Sequence, residues 1–311
     1  MSPNSNSSDL AVGIDIGGTK IAVGIVDRNG EILARRSFST EAAQGFDRAV
    51  ARIVAAIDEC LLESGRRRAE LYGIGIGCAG PVSPTRGTID NPYTLPTWDG
   101  VDIVTPLKKE FDRPTFLEND ADAAAVGEAY FGAGCGAKSV VMLTYGTGIG
   151  SGVLIDGKIY RGAQGTHPEL GHLPVELDGP QCYCGIHGCF EAIASGTGIS
   201  SAGSAAGLGD ARHVFAAHSA GDTRAAAIIE RALQATRVAV WTIQHTLLPE
   251  KIVLGGGIID DHFALFAEAA RGAVAASTMN PQGCTEVVQA VLGNRAGIVG
   301  AAQWARMAQM K

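Results

Sequence analysis

The sequence has no apolar segment long enough to cross a membrane, and its first ten residues, MSPNSNSSDL, lack the apolar core of a signal peptide. Basic residues are in the minority, because 25 Lys and Arg stand against 32 Asp and Glu, which gives a net charge of −7. This balance disfavours binding to a nucleic-acid backbone or to an anionic membrane. We therefore expect a cytoplasmic protein with neither nucleic acid nor membrane as a partner.

Cysteine is also scarce. The 311 residues include 7, an odd number, and four of these, Cys60, Cys78, Cys135 and Cys284, lie far apart. Such a pattern is typical of a reducing compartment. The chain is long enough for two domains of ordinary size, each with its own core. Hydrophobic residues at 46% and charged residues at 18% indicate a soluble globular protein.

The remaining three cysteines lie in a short segment that Gly and Pro interrupt. Cys182, Cys184 and Cys189, together with His172, supply three thiolates and one imidazole, a set that suits a closed tetrahedral zinc site. Thiolates so close together repel one another unless a cation neutralises them. Because no coordination position is left open, we expect the zinc to be structural. Two of these cysteines could instead form a disulfide or stay free, although Cys182 and Cys184 are poorly placed to pair with each other.

A similar order of strands and helices is predicted twice along the chain. In each half, a group of three strands comes first, and helices and further strands follow. The first half includes a Pro- and Gly-rich loop that runs to Trp98, and a helix at 121–131 that Asn119 or Asp120 can cap. The second half ends with a helix at 263–276 and a strand at 287–292. This repetition predicts a duplicated α/β unit and two lobes with a cleft between them.

The boundary between the two lobes is predicted near Glu118. Residues 1–118 then form a small N-terminal α/β lobe, which the terminal helix at 296–311 joins. Residues 119–295 form a larger C-terminal α/β lobe that contains the zinc loop at 167–191.

Two glycine-rich hairpins, one in each predicted lobe, suit phosphate binding. Glycine lets backbone N–H groups approach an anion closely, and threonine and lysine add a hydroxyl group and a charge. The aspartate of the first hairpin is placed to orient a hydrated Mg²⁺ at the same phosphates. Each hairpin alone could be a plain turn, but the pair suggests two clasps for one polyphosphate. The candidate residues are Asp15, Gly17, Gly18, Thr19, Lys20, Gly146, Thr147 and Gly148.

Other glycine motifs of the sequence can be compared with known nucleotide-binding motifs. The sequence contains no G-x-x-x-x-G-K-[ST] motif, so a P-loop is excluded. Residues 75–80, GIGCAG, match G-x-G-x-x-G, but a loop without helical periodicity follows, so we reject a dinucleotide-binding interpretation. Gly255, Gly256 and Gly257 lie between a predicted strand and a helix, where a flat adenine ring could lie against the backbone. An ordinary strand-to-helix turn is the alternative.

A candidate general base follows a predicted strand at residues 118–120. The carboxyl ends of strands are where ligands bind in open α/β folds. Asn119 can donate and accept hydrogen bonds with a sugar hydroxyl, and Asp120 can accept a proton from one. Helix capping is the structural alternative for this pair, and Asp122 is the second candidate for the base.

Taken in order, these motifs resemble the ROK sugar kinases, and among them the bacterial ATP-dependent glucokinases. The segments that carry the resemblance are DIGGTK at 15–20, GPV at 80–82, LENDADAAA at 117–125, LTYGTGIGSGV at 143–153, ELGH at 169–172, CYCGIHGCFE at 182–191 and LGGGI at 254–258. The resemblance implies the actin-like ATPase (ribonuclease H-like) α/β fold, with two lobes, a central cleft and a small zinc-bound loop. It also implies Mg²⁺ and ATP as the phosphate donor.

The resemblance further assigns roles to individual residues. Asp120 becomes the general base on the sugar hydroxyl. The implied sugar contacts are Gly80, Asn91, Asn119, Asp120, Glu169, His172 and Glu191. His167-Pro168 departs from the glucokinase pattern and looks more like the fructokinases, while the metal segment also resembles N-acetylmannosamine kinases. His167 itself could be a simple loop residue.

The expected function is therefore transfer of the ATP γ-phosphate to the 6-hydroxyl of glucose, with a hexose and ATP as ligands and a homodimer or homotetramer as the assembly. Kinases for fructose, N-acetylmannosamine or N-acetylglucosamine are the alternatives. A sugar-responsive repressor of the same family would need a helix-turn-helix, and only nine residues precede the first predicted strand. A non-catalytic sugar sensor would be expected to lose the base, and Asp120 is present.

Overall fold

The computed structural model describes residues 10–92, 94–279 and 283–309. In this part of the chain the strands are β1 (Leu10–Ile16), β2 (Lys20–Val26), β3 (Ile32–Ser39), β4 (Leu71–Cys78), β5 (Val82–Ser83), β6 (Thr88–Ile89), β7 (Val101–Asp102), β8 (Thr115–Asn119), β9 (Ser139–Tyr145), β10 (Ile149–Ile155), β11 (Lys158–Ile159), β12 (Lys251–Gly255) and β13 (Glu286–Gln289). The helices are α1 (Phe46–Glu63), α2 (Val104–Phe111), α3 (Asp120–Phe131), α4 (Phe190–Ala194), α5 (Gly196–Ala205), α6 (Ala211–Ser219), α7 (Thr223–Thr246), α8 (Gly257–Ala276) and α9 (Ala296–Gln309).

Two five-stranded sheets share one topology. The first has the order β3-β2-β1-β4-β8 and the second has the order β11-β10-β9-β12-β13. In each sheet the first three strands of the chain are antiparallel, and the last two add in parallel. The duplicated α/β unit that the sequence predicts is therefore present.

The chain divides into two compact units. The first contains the residues up to Cys135, the segment Arg161–Thr166 and the residues from Asn294 onwards, and the second contains Gly136–Tyr160 and His167–Gly293. The lobe boundary near Glu118 stays a prediction.

Strand β1 is almost continuously apolar because both of its faces are covered. Val12 and Ile14 belong to the core that α1 covers with Ile53 and Ile57. Alternate side chains of a strand point to opposite faces of its sheet, and on the other face Ala11 packs with residues of α9. A sheet with both faces buried reads as an unbroken hydrophobic run instead of an alternating one.

Helix α9 approaches its neighbours unusually closely, through glycines. A Cβ added to Gly13 would lie 1.9 Å from the carbonyl oxygen of Ile298, and one added to Gly75 would lie 1.7 Å from that of Ala301. On the helix itself, a Cβ on Gly300 would lie 1.6 Å from the carbonyl oxygen of Ala123 in α3. A Cβ added to Gly77 would lie 2.9 Å from the Cβ of Ala123 in α3. The first two glycines of GIGCAG therefore serve helix and strand packing, which agrees with the rejection of a dinucleotide site.

Two stretches of secondary structure differ from the prediction. Helix α8 begins at Gly257, six residues before the predicted start at Phe263, and His262 interrupts it with φ −131°. Because the kink separates the first turn from the rest, helical periodicity in the sequence begins only after it. The predicted loop before Trp98 contains β5 and β6, which form a small sheet with β7 just after that loop, and strands of two residues are too short to give a period.

Among the described residues, no helix is both long enough and apolar enough to span a lipid bilayer.

Replacement of Gly300 by alanine should destabilise the first unit, since the new Cβ would meet the backbone of Ala123. Overpacking of this kind costs about 1–3 kcal/mol or more. Gly272→Ala is the matched control, because Gly272 is an exposed glycine of helix α8 with no atom within 4 Å of an added Cβ. It should gain up to about 1 kcal/mol from helix propensity. Urea unfolding of the variants measures both effects, and a Gly300→Ala protein as stable as the wild type would contradict this packing.

Candidate active site

The phosphate-binding hairpin of the first unit is a short turn between β1 and β2. The backbone N–H of Gly17 donates to the carbonyl oxygen of Lys20 at 2.9 Å and closes the turn. Thr40, the residue after β3, stabilises this turn. Its hydroxyl donates to the carbonyl oxygen of Gly17 at 2.6 Å, and its N–H donates to the carbonyl oxygen of Thr19 at 3.0 Å. Gly18, Thr19 and Lys20 are exposed, so their polar groups are accessible to an anion. No sequence motif connects Thr40 with this turn.

Asp15, at the end of β1, lies in an unusual electrostatic setting. Burial and the nearby carboxylate of Asp120 raise its pKa to about 6, although Lys20 opposes the shift. Its carboxylate lies against the first turn of α9, where a Cβ on Gly297 would be 2.7 Å from the carboxyl carbon. Because the two carboxylates repel each other, a cation between or beside them would be favoured. Asp15 is therefore suited to orient hydrated Mg²⁺, which would relieve their repulsion.

Asn119 and Asp120 lie where β8 leads into α3. The amide oxygen of Asn119 accepts from the N–H groups of Ala121 at 2.9 Å and Asp122 at 3.3 Å, so Asn119 is the N-cap, as the sequence predicted. Its Nδ2 lies beside Gly80, where an added Cβ would be only 2.7 Å away. The cap uses the oxygen of this side chain and leaves Nδ2 as its donor. Asp120 is partly exposed, and its Oδ1 accepts from the N–H of Ala121 at 2.8 Å.

The buried carboxylates two residues before and two residues after Asp120 form ion pairs with one arginine. The guanidinium of Arg161 lies 2.5 Å from Oε2 of Glu118 and 2.9 Å from Oδ2 of Asp122. The side chains of these two carboxylates are 2% and 0% exposed. Asp122 therefore serves as an ion-pair partner, which argues against it as the base. Sequence reasoning missed Arg161, which comes about forty residues later in a Gly-containing segment that nothing links to Glu118.

Asn91 is fully buried and holds the loop that carries Gly80. Its Nδ2 donates to the carbonyl oxygen of Ala79 at 2.9 Å, and its Oδ1 accepts from the N–H of Thr94 at 2.9 Å. These bonds position the backbone next to Gly80. Direct contact of Asn91 with a sugar stays a prediction.

The hairpin of the second unit is the turn between β9 and β10. The N–H of Gly146 donates to the carbonyl oxygen of Gly148 at 2.9 Å. Two N–H groups at the start of α5 hold the turn from outside, since Gly196 donates to Gly146 at 2.8 Å and Thr197 donates to Thr147 at 3.1 Å. The predicted residues of this clasp are therefore together in one short turn.

The three glycines from the end of β12 to the start of α8 differ in their surroundings. A Cβ on Gly256, whose φ is +93°, would lie 2.5 Å from the carbonyl oxygen of Tyr145, so packing alone explains this glycine. A Cβ on Gly255 would lie 2.9 Å from the side-chain Cβ of Ala290, whereas a Cβ on Gly257 would have nothing within 4 Å. Contact with adenine stays a prediction for all three.

The four predicted metal ligands of the second unit come together. The ligand atoms of His172, Cys182, Cys184 and Cys189 all lie within 4.8 Å of one another. Nδ1 of His172 is 3.5 Å from Sγ of Cys182, and the Sγ atoms of Cys184 and Cys189 are 3.3 Å apart. The three cysteines of the cluster form no disulfide in the described structure, which disfavours the disulfide alternative. Thiolates bound to tetrahedral zinc at about 2.3 Å lie about 3.8 Å apart, and this donor set fits zinc after small adjustments.

His172 uses its two ring nitrogens differently. Nδ1 faces the thiols, whereas Nε2 lies 3.2 Å from the hydroxyl of Tyr183. A second hydrogen bond of this kind fixes the orientation of a ligating histidine. Tyr183 is 71% exposed and was not singled out from the sequence. Its position between two cysteines was the available signal.

Glu169 and Glu191 are both held within the second unit. Nε2 of His167 lies 3.1 Å from Oε1 of Glu169, and this hydrogen bond lowers the pKa of Glu169. His167 is therefore more than a loop residue. Oε2 of Glu191 accepts from the backbone N–H of Ile149 at 2.7 Å.

Loss of one thiolate should release the metal. We expect Cys184→Ser to bind less than one zinc per chain and to melt at a lower temperature, because three ligands remain and the loop around them has little core of its own. Zinc content by elemental analysis and calorimetry measure both. Cys135→Ser is the control, since Cys135 is an exposed thiol outside the cluster. Full zinc occupancy in Cys184→Ser would show that the ligand set is wrong.

Comparison with known proteins agrees with this arrangement. The sequence is 36% identical to a glucokinase from Thermotoga maritima over 308 residues, which cover 94% of this chain and 95% of that protein. The crystal structure of a ROK hexokinase from Thermus thermophilus matches with a TM-score of 0.86 at 33% identity, over 97% of this chain and 99% of that one. A ROK family glucokinase from Streptomyces griseus, solved with glucose and AMPPNP, matches with a TM-score of 0.75 at 31% identity, over 96% and 99% of the two chains.

The family model described as "ROK family" matches residues 11–308, almost the whole chain. The predicted actin-like ATPase fold is confirmed by these structural matches. The two similar sheets, the capped Asn119-Asp120 pair and the His-Cys cluster are thus features of a member of this family. The chain belongs to the ROK family.

Proposed function

We propose that this hexose kinase of the ROK family transfers the γ-phosphate of ATP to the 6-hydroxyl of glucose. The observation that carries the proposal is the closeness of Asp120 to the phosphate-binding hairpin of the first unit. Asn119, the residue before Asp120, pairs with Cys78 of β4, which in turn pairs with Ile16 of β1 beside this hairpin. Asp120 also contributes to the raised pKa of Asp15, and it is partly exposed at the start of α3. A base and a phosphate site are thereby neighbours in one unit.

The chemistry asks mainly for positioning and charge stabilisation. The 6-oxygen of the sugar attacks the γ-phosphorus, the bond to the β,γ-bridging oxygen breaks, and ADP leaves. Asp120 accepts the proton of the hydroxyl group. The turns at 17–20 and 146–148 bind the phosphates through backbone N–H groups, and Lys20 adds a positive charge. Mg²⁺ held through Asp15 would neutralise charge that develops on the phosphate oxygens.

We assign ATP as the donor because the Streptomyces griseus relative was solved with AMPPNP, and glucose as the acceptor because that structure also holds glucose. The proposed sugar contacts in the first unit are Gly80, Asn91, Asn119 and Asp120, and those in the second unit are Glu169, His172 and Glu191. Nδ2 of Asn119 can donate to a hydroxyl, whereas the carboxylates of Glu169 and Glu191 can accept from one. Zinc at His172 would keep its ring in place.

A different hexose is the second candidate, and His167 is the observation that favours it. The bond from His167 fixes Oε1 of Glu169, so this carboxylate meets a sugar in one orientation. His167-Pro168 is also where the sequence departs from the glucokinase pattern. Fructose, N-acetylmannosamine and N-acetylglucosamine are therefore the acceptors to compare with glucose.

An ADP-release assay with glucose, mannose, fructose, N-acetylglucosamine and N-acetylmannosamine tests the proposal. We expect kcat/KM to be highest for glucose by at least about tenfold, a difference that about 1.4 kcal/mol in transition-state binding produces. A higher value for fructose or an N-acetylated sugar would favour the second candidate. Absence of turnover with every sugar, while sugar still binds, would favour a non-catalytic sensor.

Asp120→Asn should lower kcat by about a hundredfold or more while it leaves glucose affinity nearly unchanged, because an asparagine amide can still hydrogen-bond the sugar hydroxyl but cannot accept its proton. Single-turnover kinetics and calorimetric titration with glucose measure the two effects. Asp122→Asn is the comparison. It should lower the melting temperature by leaving charges of the Arg161 network uncompensated, but keep kcat within about tenfold. If instead Asp122→Asn abolished turnover and Asp120→Asn did not, the assignment of the base would be reversed.

A further inference from the structure

Glu191 joins two parts of the second unit that have separate roles in the proposed reaction. Its Oε2 accepts from the N–H of Ile149 at 2.7 Å, directly after the phosphate-binding turn. The same oxygen lies 2.3 Å from the position that a Cβ on Gly148 would occupy. Glycine at 148 is thus what allows the carboxylate to reach the turn. A side-chain hydrogen bond also joins Glu191 to Tyr183, and a sugar hydroxyl would donate to Oε1.

The segment around Glu191 holds the same turn at further points. Residues 189–197, which we name the coupling segment, begin at the metal-ligand candidate Cys189 and end at the start of α5. At its end the N–H groups of Gly196 and Thr197 donate to the carbonyl oxygens of Gly146 and Thr147. Three hydrogen bonds therefore connect the coupling segment to residues 146–149, and only the bond from Glu191 involves a side chain.

We propose that Glu191 is a positioning residue that transmits hexose binding to the phosphate-binding turn at residues 146–149. The proposal rests on the proposed function, since it assumes that hexose and nucleotide bind to these groups. A sugar hydroxyl that donates to Oε1 fixes the carboxylate, and Oε2 then holds the N–H of Ile149 in place. The turn is ordered before the nucleotide arrives, so nucleotide binding loses less conformational entropy.

The proposal predicts a thermodynamic coupling between the two ligands. Saturating glucose should lower the Kd of AMPPNP with Mg²⁺ about fivefold or more, within the range of ordinary allosteric couplings. By reciprocity, AMPPNP should lower the Kd of glucose by the same factor. Isothermal titration calorimetry on the full-length, zinc-loaded protein measures all four constants without turnover.

Two alanine variants of one turn isolate the role of Glu191. In Gly148→Ala the new Cβ takes the place of Oε2, a flexible side-chain end, so the carboxylate moves and the fold is kept. The factor by which saturating glucose lowers the Kd of AMPPNP should fall to about one. In Gly146→Ala, whose Cβ would have only the carbonyl oxygen of Gly148 at 4.0 Å, the link to Glu191 is intact. This variant can bind AMPPNP less tightly, with and without glucose alike, but its factor should equal that of the wild type.

A third variant separates sugar affinity from coupling. Glu169→Gln alters another proposed sugar contact, one whose partner is His167 and not the turn. It should weaken glucose binding and keep the factor once glucose is saturating. If Gly148→Ala kept the wild-type factor, or if Gly146→Ala and Glu169→Gln lost it equally, Glu191 would not be the link.

The outcomes also distinguish this inference from the proposed function. If wild-type protein binds glucose and AMPPNP independently, with a factor of one, the coupling is overturned and the kinase assignment stands. If the wild type binds neither ligand, the assignment itself fails and the coupling fails with it.

Discussion

The close approach of helix α9 to the first sheet is the constraint on which the geometry of the first unit depends. Backbone meets backbone at Gly13, Gly75 and Gly300, where no side chain fits. This contact places the start of α9 against Asp15 and fixes α3, because Gly300 packs on Ala123. The positions of Asp15 in β1 and Asp120 in α3 therefore depend on packing outside the site, between α9, α3 and the first sheet.

The second unit obtains rigidity differently. Its loop from His172 to Cys189 has few buried side chains of its own, and four ligand atoms gathered within 4.8 Å take the place of a core there. Cys189, the last of these candidate ligands, is the N-cap of helix α4, so the position of Glu191 depends on the cluster. From Glu191 the constraint continues to the turn after β9. The cluster of candidate metal ligands, a short helix and a hairpin thus form one connected structure.

The sequence was informative wherever function depends on local chemistry. Asn119 caps α3 because its side chain bonds to groups two and three residues away, and a local pattern predicts such a bond. The metal ligands and both hairpins are local in the same sense, and the duplicated strand order follows from periodicity. Arg161 could not be predicted, since it pairs with Glu118 across a sequence separation that no motif spans. The same holds for Thr40 and Gly17.

Other features could not be read because their residues have two explanations. Gly75 satisfies a nucleotide motif by its letters, but its role is to admit α9. His167 looks like a departure from a family pattern, and only the structure shows that it holds Glu169. The start of α8 was hidden by the kink at His262, where helical periodicity breaks.

The discontinuity of the first unit has a consequence for synthesis on the ribosome. Ala11, Ala22 and Val26 are covered by Ile298 and Ala302, and these partners are translated only after the whole of the second unit. Until then one apolar face of the nascent sheet has no cover, and such surfaces attract chaperones and other unfinished chains. The second unit, apart from the excursion at 161–166, is complete earlier. The first unit therefore completes its core last, although its synthesis begins first.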